Sequence, residues 1–154
     1  MPFFRFSSLL QRVDAIYRVA IMALLLGMTI PAIAADSTDH SVIGLWKFKA
    51  ARDFAEIASL DEREAQQLVG HTLTINREQV QVGKRVCLSP DFESERVEPS
   101  LYLRKHYHAS ASQLGLPNPV TVVHLNCMSA FVKNRDHLVV FWQGWFFDAV
   151  RVKR

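Results

Sequence analysis

The chain of 154 residues carries 18 Lys and Arg against 15 Asp and Glu, for a formal net charge of +3, and its hydrophobic fraction is 49%. Arg5, Arg12, Arg18 and Asp14 fall within the first 35 residues, so the remaining 119 hold 15 basic and 14 acidic groups, a net +1. That near-neutral balance, with no Lys/Arg stripe, excludes nucleic acid as the expected partner, because phosphate neutralisation dominates such binding.

Residues 1–35 read as a signal peptide. The three arginines form a basic n-region, residues 19–30 an apolar h-region, and Ala32, Ile33 and Ala34 a small-residue cleavage site. The apolar run is shorter than the roughly 20 residues of a membrane span. Cleavage after Ala34 or Ala35 is therefore expected ahead of retention as an anchor, with no stable membrane insertion afterwards. The destination is the periplasm or the exterior, and residues 36–154 make one domain.

Within that domain, residues 42–51 alternate. Val42, Trp46 and Phe48 are spaced by even numbers, with Lys47 and Lys49 between them, which predicts a half-buried strand. Residues 59–70 predict a helix. Ser59 and Glu62 match a capping box, Asp61, Glu62 and Glu64 suit the positive end of the dipole, and Gly70 terminates the run. Leu73 and Ile75, then Val80, Val82 and Val86, return to a period of two, with Gly83 read as a bulge or bend. Residues 88–100 are polar, contain two prolines and predict a loop or edge segment. Residues 101–109 alternate loosely and read as a strand. Residues 110–120 form a turn region with room for one helical turn. Three further β-rich segments complete the chain. The expected fold is mainly β: six or seven strands and one short helix, as a small antiparallel barrel or strongly bent sheet.

Cys87 and Cys127 are the two cysteines, and in an exported domain an even pair predicts a disulfide. Closing a loop of about 40 residues contributes roughly 4 kcal/mol in the chain-entropy treatment.

Three groups of residues could carry a function. "FWQGWFF", residues 141–147, places five aromatics in seven positions. A turn at Gln143 and Gly144 makes Trp142 and Trp145 face each other, and strand alternation prevents all five rings from pointing one way. They suit a core first, then the lining of an apolar ligand site formed by Trp46, Phe141, Trp142, Trp145 and Phe146, then an exposed partner patch. His106 and His108, two apart on the expected strand, would share a face and, with His124, could supply three nitrogens to zinc or copper, although solvated strand histidines are the commoner outcome. Asp148, set among apolar residues, reads as a rim position or a carboxylate facing a ligand. The acids of the predicted helix have a sufficient role at its N-terminus. No nucleophile elbow, zinc-protease, CxxC, phosphate-loop or dinucleotide motif occurs. Neither catalysis nor a cofactor is expected.

The combination of "GLWKF", "EAQQLVGHTLTI", one cysteine after the next strand, a second before "SAF", and a closing "FWQGWFF" followed by Arg151 resembles small exported proteobacterial proteins with lipocalin-like barrels. The similarity spans residues 44–151 and includes the Gly-x-Trp opening as Gly44 and Trp46. It implies a barrel and export. The expected function is non-enzymatic binding of a small apolar ligand. The alternatives are an inhibitor or immunity-type protein that occupies a periplasmic enzyme through residues 88–100, and metal binding through the histidines.

Overall fold

A computed structural model describes residues 38–153, which lie within the compact unit Asp36–Arg154. The predicted signal peptide falls outside the described residues. Nine strands form one antiparallel sheet: β1 (Gly44–Phe54), β2 (Thr72–Ile75), β3 (Gln79–Val82), β4 (Arg85–Leu88), β5 (Ser94–Val97), β6 (Val120–His124), β7 (Ser129–Asn134), β8 (His137–Trp142) and β9 (Trp145–Arg151). Their order is β4-β3-β2-β1-β9-β8-β7-β6-β5, with two helices, α1 (Glu62–Leu68) and α2 (Pro99–Tyr107). Among the described residues no helix is long and apolar enough to cross a membrane.

The sheet curls into a half-barrel. One apolar cluster unites Val80 and Val82 near one edge with Val123 near the other, through Trp46, Phe48 and Phe147, and fills the concave face. The Cys87–Cys127 disulfide ties edge strand β4 to the β6–β7 turn across the opening. Strand β1 is long enough to serve both halves, pairing with β2 and β9, and register shifts between Phe48 and Ala50 and between Ala51 and Asp53 bend it.

The Gly-x-Trp opening has a physical reason. The Arg151 guanidinium stacks on the Trp46 ring, 4.0 Å from its centroid, and donates hydrogen bonds to the carbonyls of Ile43, Ser41 and Arg135. Gly44 has φ +153, and a Cβ there would collide with that guanidinium. The last strand is thereby locked to the entry of the first.

A second apolar layer lies on the convex face, where Leu103 of α2 packs with Val120, Val122, Phe131, Val139 and Phe146. The strand expected at 101–109 is therefore helical. Glu98 caps it by accepting from the amides of Ser100 and Leu101, Pro99 occupies its first turn, and Arg104, Lys105 and His106 complement the dipole in its last. Leu103 and Tyr107 meet the sheet at helical spacing, which outweighs the loose alternation of Leu101 and Leu103.

Three smaller expectations change. The helix at 59–70 starts later: Asp61 and Glu64, two residues beyond Ser59 and Glu62, form the capping box. Gly83, with φ +57, sits in a turn between β3 and β4 that pairs Val82 with Arg85, so one expected strand is two and Gly83 is no bulge. Residues 110–119 contain turns and no helix.

Candidate functional site

The hairpin "FWQGWFF" turns at Gln143 and Gly144, both at positive φ as a primed two-residue turn requires, and Trp142 pairs with Trp145. Alternation then divides the predicted lining. Trp46, Trp142 and Trp145 belong to the concave core, whereas Phe146 is buried under α2 and Phe141 packs against Tyr107 with ring centroids 4.4 Å apart. The five do not line one cavity, because neighbouring strand residues point to opposite faces.

The residues between β1 and α1 close over this hairpin. The amides of Ala55 and Ser59 donate to the Gly144 and Gln143 carbonyls, and Phe54 packs on Trp145. Beside that cover lies a cleft of about 370 Å³ between α1 and the β3–β4 turn, walled by Leu60, Leu68, Val82, Trp142, Lys84 and Arg85. The three tryptophans differ here. Trp46 Nε1 donates to the Val42 carbonyl at 2.8 Å and Trp145 Nε1 to the Leu60 carbonyl at 2.9 Å. Trp142, 7% exposed, has no acceptor for its indole N–H among the described residues. Nor does any described carboxylate lie within ion-pair distance of Lys84 or Arg85.

The convex face carries a second constellation at the end of the α2 layer. His124, the last residue of β6, stands directly opposite Ser129, the first of β7, and Glu95 of β5 pairs with Val122, two positions before His124 on the same face. His124 Nε2 lies 3.1 Å from Glu95 Oε1 and 3.3 Å from the Tyr102 hydroxyl. Its Nδ1 lies 3.5 Å from Ser129 Oγ, and the Tyr107 hydroxyl donates to the same Oγ at 2.9 Å. An ionised carboxylate only accepts, so the proton shared with Glu95 belongs to Nε2, which leaves Nδ1 of the neutral ring as an acceptor facing Ser129.

Burial pushes the Tyr102 phenol far above its ordinary range, and its hydrogen bond to Glu95 adds to that; burial likewise raises Tyr107, against the bond to Ser129. Both hydroxyls stay protonated donors at neutral pH. Burial alone would raise Glu95, but hydrogen bonds from His124 and Tyr102 outweigh it and hold the carboxyl below its usual value. A cleft of about 500 Å³ opens onto Ser129 and His124, with Tyr107, Met128 and Phe141 as walls and Asp91 and Glu93 at the rim.

The predicted histidine trio is not assembled. On a helix, residues two apart point away from each other: His106 stacks on Tyr102, while His108 caps the helix end and approaches Glu56 at 3.8 Å. Among the described residues no group of three His, Cys, Asp or Glu is placed to hold a metal. Asp148 is occupied by Arg52 at 2.6 Å and Lys133 at 3.6 Å. The 88–100 segment holds edge strand β5 and the start of α2.

No protein-family model, curated protein or solved structure matches the chain.

Proposed function

We propose that the protein is an exported binding protein of lipocalin-like type that takes a small apolar ligand at the cleft between α1 and the β3–β4 turn. The concave interior is filled by side chains, so the ligand sits at the rim of the half-barrel. The observation that carries this reading is Trp142, which lines this cleft and, unlike Trp46 and Trp145, keeps its indole N–H without an acceptor among the described residues. Pockets that recognise small molecules combine apolar walls with a few convergent polar groups, and about 370 Å³ lies within their usual size. Leu60, Leu68 and Val82 supply the apolar wall, and Lys84 and Arg85 outnumber Glu64 among the charged groups of the lining, which favours an acidic group at the ligand's outer end. The disulfide, together with the signal peptide expected from the sequence of residues 1–35, supports export.

The test uses anilinonaphthalene sulfonate, an aromatic anion that fluoresces when it leaves water. The disulfide-bonded protein is expected to bind one equivalent saturably, with energy transfer from tryptophan, and Trp142→Ala to weaken binding at least about tenfold, a cost of about 1.4 kcal/mol. No saturable binding, or equal binding by Trp142→Ala, would sink the reading.

A further inference from the structure

We propose that Ser129 is a nucleophile toward small activated esters, with His124 as its base and Glu95 as the residue that orients the imidazole. This goes beyond the binding reading and concerns the opposite face of the sheet.

The three residues come from three adjacent strands and share a face through register. The β6–β7 ladder sets His124 opposite Ser129, and the β5–β6 ladder brings Glu95 alongside. The 3.1 Å contact between Glu95 and Nε2 selects the tautomer whose Nδ1 can take the Ser129 proton, and the 3.5 Å separation from Oγ is within the looseness of sites without substrate. Tyr102 supports the same side of the ring at 3.3 Å. The Tyr107 hydroxyl, 2.9 Å from Oγ, is a donor beside the place where an ester's carbonyl oxygen would develop charge. Ser129 is 8% exposed, and that exposed part faces the 500 Å³ cleft. The rim carries Asp91 and Glu93, and no Lys or Arg lines the cleft, so the substrate class is a neutral or cationic ester with a small apolar acyl group.

In the reaction, Oγ forms a bond to the ester carbon as its proton passes to Nδ1, and the carbonyl electron pair moves onto oxygen beside Tyr107. Collapse breaks the carbon–oxygen bond to the alcohol, which leaves with the proton from Nδ1. Water repeats the sequence on the acyl-serine, releasing the carboxylic acid and restoring Ser129. No further reactant is needed.

Diisopropyl fluorophosphate tests the first half directly: Oγ bonds to phosphorus, the phosphorus–fluorine bond breaks, and fluoride departs with the serine proton. Peptide mapping of the full disulfide-bonded domain should place one adduct on Ser129, absent from Ser129→Ala. His124→Gln should slow labelling by roughly 10²-fold or more, the usual contribution of a positioned base. Glu95→Gln should slow it about tenfold and Glu95→Asp restore most of the rate, a pattern that loss of packing alone would not give. A wild-type protein left unlabelled while a serine hydrolase control reacts completely would overturn the proposal without any variant. So would an unchanged rate in a folded His124→Gln protein. Naphthalene sulfonate binding by Ser129→Ala reads the Trp142 cleft separately, so either proposal can fail alone.

Discussion

The two faces of the sheet bury similar side chains but end differently. On the concave face Trp46, Phe48 and Phe147 are sealed, and the rim gives out onto a cleft at Trp142. On the convex face the layer of Leu103, Phe131 and Phe146 gives way to Tyr102, Tyr107, His124, Ser129 and Glu95, a hydrogen-bonded group open to solvent on one side. The difference teaches where function can reside. Close-packed interior leaves no room for a ligand, so chemistry has to sit where packing stops. One stop is aromatic with cations at its edge, and the other is polar with carboxylates at its edge.

The comparison holds only if both faces are true cores. Phe147→Ala empties the concave side and Phe146→Ala the convex side, and each should cost about 3–5 kcal/mol by chemical denaturation, since both rings are fully buried. A loss below about 1 kcal/mol for Phe146→Ala would mean that α2 covers the sheet loosely, and the polar group would lose its rigid support. Replacing Cys87 and Cys127 together by serine should cost about 4 kcal/mol, because the closed loop spans 40 positions. Cys127 also lines the cleft at Ser129 and lies in the turn that sets His124 opposite it, so labelling of Ser129 should slow in the fraction that stays folded.

The concave face was the more legible in sequence. Alternation around Trp46, the helix α1, the hairpin at Gln143 and Gly144 and the cysteine pair all carry local signals, and all are present within the described residues. The convex site carries almost none. Glu95 and His124 are 29 residues apart and meet only through strand pairing. His124 and Ser129 are five apart, and the β-rich run of residues 120–127 carries no local signal of the turn that sets them face to face. Alternation at Leu101 and Leu103 similarly hid α2, although Pro99 and the basic last turn pointed to a helix. The expected metal trio depends on the same point, because strand geometry aligns His106 with His108 and helix geometry separates them. Asp148 looked like a carboxylate awaiting a ligand because its partner Arg52 is 96 positions away.

The smallest expected effect sharpens the contrast between the faces through pH. Glu95 is held below the ordinary carboxylate value, so the folded state releases its proton more readily than the unfolded chain does. Its contribution is complete above the unfolded value of about 4.3 and disappears as pH falls through the lower folded one. Tyr102 has the opposite linkage. Its raised value makes the folded chain hold the proton longer, so that contribution is present below an unfolded value of about 10 and is lost as pH rises beyond it. The Glu95 side chain is 49% exposed, so solvent screening keeps its effect small. Denaturation midpoints measured from neutral to acid pH should therefore show a modest excess stability of wild type over Glu95→Gln that vanishes in acid, and Trp142→Ala should track wild type without a comparable pH-dependent difference. If Glu95→Gln instead ran parallel to wild type at every pH, the carboxylate would not be coupled to His124, and the orientation that exposes Nδ1 to Ser129 would lose its cause.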